Sequence, residues 1–168
     1  MIFPIERISF VNTEISFKLL GVHLDEHLSF KPHIDILCSK LSKSMYCLNR
    51  VKNFIDKESL IKLYYSMIHS NITYGLNIYG CANKTNLEKI IVKQKQAIRI
   101  ICNAPYRAHT APLFKELKIL PLNQLIEFSR IKFMHSFYHK KLPPSFNETW
   151  ITNRERNPDR ALRNANDL

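Results

Sequence analysis

Apolar side chains in the middle of the chain recur at the spacing of an α-helix. Pro32 suits the first turn of a helix, where its missing N–H is not needed. Behind it, apolar residues return every three or four positions, at Ile34, Leu37, Cys38, Leu41, Met45 and Leu48. This pattern predicts a first helix with one buried face, and it leaves Lys40, Lys43 and Arg50 on the opposite face.

A second helix is predicted to begin at Lys57, with Asp56 as its N-cap residue. From Leu63 onward this helix is apolar almost all round, as expected of a helix at the centre of a bundle. We expect it to break or end at one of three residues: Asn71, Gly75 or Gly80.

The rest of the helical region predicts three more helices. Thr85 and Glu88 have the spacing of a capping box, which predicts a third helix with Thr85 as its cap. Thr110 is the predicted cap of a short fourth helix. A fifth helix is predicted to open at Pro121 or Leu122, because apolar residues then recur at helical spacing.

The first thirty residues have the alternation of strands. Residues 7–12 and 16–24 alternate well enough to predict two strands, with a reversal at 12–14. The chain is therefore predicted to be mostly α, with an N-terminal β-hairpin (1–30) followed by a basic bundle of about four or five helices (31–141). Residues 142–168 form a polar tail that we expect to be flexible.

Positive charge is concentrated in the helical region. The formal net charge is +11. Residues 36–152 hold eighteen basic and six acidic residues, whereas residues 1–35 hold three basic and five acidic ones. A basic domain of this kind favours a polyanionic partner, since neutralised phosphates release counterions and give affinity that does not depend on sequence.

Cysteine usage and the N-terminus favour an intracellular protein, cytoplasmic or nuclear. The four cysteines lack a Cys-x-x-Cys pair, so we interpret them as reduced, half-buried apolar residues and not as a zinc or disulfide framework. The start of the sequence lacks the pattern of a signal peptide. Residues 63–83 are uncharged, but their polar residues favour a buried helix over a membrane span.

No complete catalytic or metal constellation is present. Asp25 and Glu26 are neighbours at a strand end and would point to opposite faces, so Asp25 is predicted to cap a turn. His135 and His139 stand at i and i+4, but no third ligand accompanies them. We therefore predict no catalytic residue, no metal site and no cofactor.

Several motifs resemble one family. The run from Leu20-Gly21-Val22 to Asp25, followed by Ser29-Phe30-Lys31-Pro32-His33-Ile34, resembles the primer grip and start of the thumb in reverse transcriptases of non-LTR retrotransposons (LINE-type, Jockey or CR1-like). Further segments resemble that family in the same order: Leu63–Ile68, Tyr74-Gly75, Tyr79-Gly80, Gln94–Ile101, Arg107–Phe114 and the tail Arg163–Asn166. The chain departs from it at Leu19, where Phe is favoured, at Phe30 and Tyr79, where Trp is favoured, and at Leu162, where Thr is usual.

The resemblance implies a thumb-like fold and the far end of an RNA-directed DNA polymerase. The family's Tyr-x-Asp-Asp signature is absent from the sequence, so the carboxylates that would bind Mg²⁺ are expected elsewhere and this chain is expected to be inactive alone. Its expected partners are the missing palm and fingers of the polymerase. It is also expected to bind RNA, DNA or their hybrid as primer–template without sequence preference, with Leu20 and Gly21 at the primer-grip turn.

The basic helix faces are the candidate nucleic-acid site. Four residues of the third helix and one in the following turn would form one wall: Lys89, Lys93, Lys95, Arg99 and Arg107. The stripe Lys40, Lys43 and Arg50 would form the other. Tyr106 and His109 either contact nucleic acid or hold the turn against the bundle. The alternatives are a solvated basic face, a helical protein-interaction module that uses apolar residues such as Phe10, Leu20 and Val22, and a membrane-associated helix.

Overall fold

The computed structural model describes residues 16–146, and the chain divides into two compact units, residues 1–126 and 127–168. A hairpin of two strands is followed by helices, which confirms the predicted mostly α fold. The elements are β1 (Phe17–Leu19), β2 (Val22–Leu24), α1 (Lys31–Val51), α2 (Lys57–Tyr64), α3 (Ser70–Thr73), α4 (Leu76–Tyr79), α5 (Lys84–Ile101), α6 (Ala111–Glu116) and α7 (Leu122–Tyr138). A π-helical turn, Tyr65–His69, joins α2 to α3, and a 3-10 turn spans Pro144–Phe146.

The single strand predicted over residues 16–24 is wrong, because this segment folds back on itself. β1 and β2 pair antiparallel with Leu19 opposite Val22, so Leu20 and Gly21 form a two-residue turn. Their φ angles are 45° and 85°, and positive φ at both central residues is what a type I′ turn needs. The alternation changes phase at this turn, because Leu19 and Leu20 are adjacent apolar residues, and the prediction overlooked that change. The predicted strand 7–12 and reversal 12–14 lie outside the described residues.

The hairpin is anchored on the turn between α3 and α4. The Tyr74 hydroxyl donates a hydrogen bond to the carbonyl of Leu20. Gly75 has a φ of 68°, and a Cβ there would lie 3.0 Å from Cγ2 of Val22. Glycine is therefore required both by the backbone conformation and by the close approach of Val22.

Carboxylates hold the turn before α1 and cap α2, as predicted for Asp25 and Asp56. The Asp25 carboxylate accepts hydrogen bonds from the backbone N–H groups of Ser29 (3.0 Å) and Phe30 (2.8 Å), as predicted for a turn-capping residue. Asp56 accepts from the N–H of Ser59 at 3.1 Å at the start of α2. These three bonds satisfy donors that a helix start or turn would otherwise leave open.

The predicted capping box of the third helix is wrong. The helix α5 begins two residues earlier, with Asn83 as its N-cap, and the Asn83 side chain accepts a hydrogen bond from the N–H of Asn86 at 2.9 Å. Asn83 has the extended backbone that an N-cap needs, whereas Thr85 already lies inside the helix. Thr110 does occupy the N-cap position of α6, but its side chain makes no capping hydrogen bond.

The core of the first unit forms where α1 and α5 lie side by side against α2, α3 and α4. Lys89 pairs with Asp35 and Lys52 contacts Asn103, so residue numbers rise together along the two helices and α1 and α5 are parallel. The largest fully buried side chains are Tyr64, Tyr79, Ile34, Leu41, Leu48, Ile68, Ile72, Ile90, Ile98, Leu122 and Gln94. The stripe predicted for the first helix is thus confirmed as a core face.

Gln94 is a buried polar side chain whose side-chain amide joins three parts of the core. Its Nε2 donates to the Tyr64 hydroxyl and to the carbonyl of Leu120, both at 3.0 Å. Its Oε1 accepts from the N–H of Leu122 at 2.9 Å. Burial raises the pKa of Tyr64 to about 12, so the phenol stays neutral within this network.

His33 is a buried histidine between the hairpin and the bundle. Its Nδ1 accepts from the backbone N–H of His23 at 3.5 Å, and its ring lies 5.0 Å from that of Tyr79. Burial lowers the pKa of His33, and the nearby charges of His23 and Lys40 lower it further. Burial also lowers the pKa of His69. Both rings are therefore held in the neutral form.

In the second unit, the described residues form the end of α7 and the turn that follows it. α7 ends at Tyr138, and Lys140 has a φ of 52° shortly after it. Phe133 and Phe146 contact edge to face with their ring centroids 5.9 Å apart.

Among residues 16–146, every helix is too short or too polar to span a bilayer.

The four cysteines are free thiols, and the prediction of half-buried side chains holds for two of them. Cys38 and Cys102 are half-buried, and burial raises the pKa of each thiol. Cys47 and Cys81 are exposed. The prediction is wrong for these two, because Cys47 lies outside the buried stripe of α1 and Cys81 lies in the turn between α4 and α5.

We expect Gln94→Leu to lower the free energy of unfolding by roughly 3 kcal/mol, because it leaves the buried N–H of Leu122 and the carbonyl of Leu120 without partners. The control is Gln96→Leu, on the same helix at a half-buried position without a hydrogen bond in the described region, with an expected change within about 0.5 kcal/mol. Urea unfolding followed by circular dichroism measures both. Equal losses in the two variants would contradict this role for Gln94.

Stability is expected to fall with acid through His33. The unfolded state takes up a proton near the ordinary pKa of 6.5, whereas the folded state resists protonation until a lower pH. The stabilisation is therefore complete above about pH 6.5 and is lost as the pH falls below it. Urea midpoints at pH 7.5, 6.5 and 5.5 should drop less in His33→Asn, whose Oδ1 can still accept from His23. The control His27→Asn changes an exposed histidine and should show the same fall in urea midpoint as the wild type. An equally large fall in His33→Asn would contradict this role for His33.

Candidate nucleic-acid interface

A groove runs between α1 and the parallel helix α5 and ends at the turn that follows α5. Its volume is about 440 Å³. The lining residues are Ser42, Met45, Tyr46, Asn49, Lys52, Gln96, Arg99, Ile100, Ala104 and Tyr106. Clefts of about 300–1,000 Å³ with an apolar base and a few polar groups are the usual form of a ligand site.

The groove combines an apolar base with aromatic edges. Met45 is buried, and Ile100 and Ala104 are half-buried beside it. Tyr46 comes from α1 and is 66% exposed, and Tyr106 comes from the turn after α5 and is 77% exposed. Two ring faces are therefore available to solvent at one groove, so flat ligands have stacking partners there.

Two cations stand at the end of the groove. The Nε of Arg99 donates a hydrogen bond to the carbonyl of Ala108 at 3.0 Å, which fixes the guanidinium against the turn 102–108. The Nζ of Lys52 lies 3.4 Å from Oδ1 of Asn103. The terminal amino groups of Arg99 make no hydrogen bond within residues 16–146, so they remain as donors for a phosphate or carboxylate.

A second hollow continues the same junction of α1 and α5 toward the start of α5. It is lined by Cys38, Lys84, Thr85, Glu88, Lys89, Val92 and Lys93. We call the junction with its two hollows the seam, and Lys52, Lys84, Lys89, Lys93 and Arg99 the seam cations. Lys89 pairs with Asp35 at 2.6 Å. From Lys89 to Arg99 the helix rises about 15 Å, the rise of roughly four nucleotides of one strand.

The basic residues predicted for the third helix lie on different sides of α5. Lys89, Lys93 and Arg99 line the seam, but Lys95 does not. With 3.6 residues per turn, Lys93 and Lys95 are about 160° apart around α5 and cannot contact the same strand side by side. Arg107 is exposed in the turn after α5, next to Tyr106.

The other predicted wall does not face the seam. Lys40, Lys43 and Arg50 are exposed on α1, but none lines the groove. Lys40 lies on a different side of α1 from Ser42 and Asn49, which line the groove, whereas Lys43 and Arg50 lie next to the groove residue Tyr46, three residues before it and four after it. The α1 side of the groove is lined by Tyr46, Asn49 and Lys52, which the sequence analysis did not single out. A signal for them was present in the sequence. Ser42, Tyr46 and Asn49 recur at helical spacing on the side of α1 next to its buried stripe.

The predicted primer-grip residues lie at the tip of the hairpin, away from the residues that line the seam. Leu20 is 84% exposed, and Leu19 beside it is 51% exposed. A third hollow here is lined by Leu19, Leu20, Val22, Leu24, Tyr74, Gly75 and Ile78. This hollow has no charged side chain in its lining, so its chemistry differs from that of the seam.

Within residues 16–146, no group of three or more histidine, cysteine or acidic side chains is arranged to hold a metal ion. His135 and His139 do come together, with ring centroids 4.2 Å apart. The Asp25 carboxylate is committed to the turn amides of Ser29 and Phe30.

The comparisons with known proteins agree with the resemblance seen in the motifs. The chain is 28% identical over 130 residues to the RNA-directed DNA polymerase from mobile element jockey of Drosophila funebris, which covers 75% of this chain and 14% of that protein. It is 29% identical over 123 residues to the jockey polymerase of Drosophila melanogaster, covering 71% and 13%. It is 28% identical over 138 residues to the probable RNA-directed DNA polymerase from transposon BS of Drosophila melanogaster, covering 76% and 15%.

The similarity to non-LTR retrotransposon polymerases is thus confirmed, and the chain spans about one seventh of the length of these relatives. No protein-family model and no solved structure matches the chain.

Arg99→Lys keeps the charge but should lose the directed bond to Ala108, so we expect amide hydrogen exchange in residues 102–108 to quicken several-fold. Exchange followed by mass spectrometry measures it. The control is Lys95→Met, which removes a charge from another side of α5 without touching this turn. Unchanged exchange in Arg99→Lys would show that the bond does not hold the turn.

Proposed function

We propose that this chain is the last-palm-strand and thumb segment of a reverse transcriptase of the non-LTR type. In this proposal its role is to hold primer–template nucleic acid, as RNA, DNA or their hybrid, without sequence preference. The catalytic carboxylates and their Mg²⁺ belong to the palm, which with the fingers is its protein partner, and the segment does not polymerise alone. Such a role belongs in the cytoplasm or nucleus.

The observation that carries the proposal is the row of seam cations along two parallel helices. Five basic side chains lie along one junction. Glu88 is the one acidic residue that lines its two hollows, and Asp35 beside them is paired with Lys89. A phosphate backbone presents a charge at each nucleotide, so a linear row of cations suits it better than it suits a compact anion.

Phosphate contacts explain why no sequence preference is expected. Lysine and arginine side chains that bind phosphate fix the register of a nucleic acid but do not recognise its bases. Each neutralised phosphate changes the slope of log affinity against log salt by roughly 0.9 in a duplex. The number of engaged seam cations is therefore measurable from the salt dependence.

A second candidate function is supported by the apolar hollow at the hairpin. Its lining is uncharged, and Leu20 is among the most exposed apolar side chains of the described residues. A protein-interaction role would use this hollow and would not depend on the seam cations. It would appear as association that depends on concentration and is insensitive to the seam charges.

The test is fluorescence anisotropy of a labelled RNA–DNA hybrid titrated at several salt concentrations. The triple variant Lys52→Gln, Lys93→Gln and Arg99→Gln should weaken binding and flatten the salt slope by up to about 3. The matched control, Lys40→Gln, Lys43→Gln and Arg50→Gln, removes the same charge from α1 residues that do not line the seam and should change the slope by less than about 1.

Two results would count against the proposal. Equal losses in both triple variants would remove the seam as the site and leave only a general electrostatic attraction. A folded wild-type chain that does not bind the hybrid even at low salt would remove the nucleic-acid function and favour the protein-interaction role.

A further inference from the structure

The groove end of the seam carries features that a row of phosphate contacts does not need. Tyr46 and Tyr106 present exposed rings on opposite sides of an apolar base formed by Met45, Ile100 and Ala104. A phosphate backbone makes no use of an apolar base or of aromatic faces. Unpaired bases do, because each base has a flat π-face that stacks on tyrosine.

We propose that this groove binds an unpaired nucleotide, with its base stacked on Tyr46 and Tyr106 and its phosphate at Lys52 and Arg99. This inference rests on the proposed function and names the part of the primer–template that the groove selects, which is a single-stranded extension and not the duplex.

Polar groups in the groove fit the edge of a base. The side-chain amides of Asn49 and Gln96 line it, and neither makes a hydrogen bond within residues 16–146. An amide offers a donor pair and an acceptor, so it can pair with the edge of any base whose own pairing partner is absent. In a duplex these edges are already paired.

The cations at the groove end are placed for one phosphate next to that base. The Nε of Arg99 is bonded to the carbonyl of Ala108, so the turn 102–108 orients the guanidinium. Tyr106 belongs to the same turn and also lines the groove. The ring and the guanidinium therefore belong to the same end of the groove. A nucleotide combines a flat ring and an anion in the same way.

The duplex and the single strand would then use different parts of the seam. The seam cations near the start of α5 lie beside only one exposed apolar residue, Val92, and have no aromatic neighbour in the hollow they line. That end suits the backbone of a paired region. The groove end, with its two tyrosines, suits the first unpaired nucleotides beyond it.

The experiment compares three labelled RNA–DNA hybrids: one with blunt ends, one with a four-nucleotide single-stranded extension, and one whose extension consists of abasic sites. Wild-type protein should bind the normal extension roughly tenfold more tightly than the blunt hybrid. The abasic extension carries the same phosphates without bases, so it should recover only a small part of that gain.

The variants separate stacking from folding. Tyr46→Ala with Tyr106→Ala should abolish the gain from the normal extension, so that extended and blunt hybrids bind this variant equally tightly, whereas Tyr46→Phe with Tyr106→Phe should keep the gain. Phe54→Ala is the matched control, because Phe54 is an exposed aromatic residue (86%) outside the groove. It should behave as wild type.

The outcomes distinguish this inference from the proposed function. If normal and abasic extensions bind equally tightly, or if the alanine variant loses affinity for the blunt hybrid as much as for the extended one, the inference is overturned while the proposed function stands. If none of the hybrids binds a folded protein, both are overturned.

Discussion

The buried amide of Gln94 is the constraint on which the rest of the first unit depends. It is the one long polar side chain among the fully buried residues of the described core, and its three hydrogen bonds join α5 to α2 and to the start of α7. Those bonds fix the rotation of α5 about its own axis. Gln96 lies two residues further on, about 160° round the helix, so the same rotation turns it and Arg99 toward the groove. The orientation of the candidate site is thus set from inside the core.

The charge of the bundle contributes little to its stability. The ion pairs that form, Lys57 with Glu116, Lys62 with Glu58 and Lys89 with Asp35, join exposed side chains. Pairs of this kind are worth roughly 0–1 kcal/mol. A net charge of +11 also repels itself in a compact state. The fold therefore rests on its apolar core and on Gln94, and the excess of lysine and arginine is not what stabilises it.

The spacing of apolar residues correctly predicted which helix faces are buried in the core. The stripe from Ile34 to Leu48 had to face the core, because its apolar residues recur on one side of a helix, and it does. Turn and cap geometry was harder to predict. The turn at Leu20 and Gly21 is marked only by a change of phase in the alternation, since Leu19 and Leu20 are adjacent apolar residues. Asn83 and Thr85 are both acceptable caps, so local backbone geometry chose between them. The groove was missed for a related reason. A helical wheel marks the buried face of α1, but the flank that meets α5 is decided by how the two helices pack.

The motifs that carry the family resemblance describe much of the scaffold. Tyr64 and Tyr79 are fully buried, and Gly75 holds a left-handed turn against Val22. Tyr79 stands where the family favours Trp, and its hydroxyl donates to the carbonyl of Ile72. Both indole and phenol bring one donor into the core, so the exchange is tolerated only because a backbone acceptor is available. The groove residues Tyr46, Asn49 and Lys52 belong to none of these motifs, whereas Gln96, Arg99 and Ile100 lie within the motif Gln94–Ile101. The motifs therefore account for much of the core and for the α5 side of the groove, while the α1 side of the groove lies outside them.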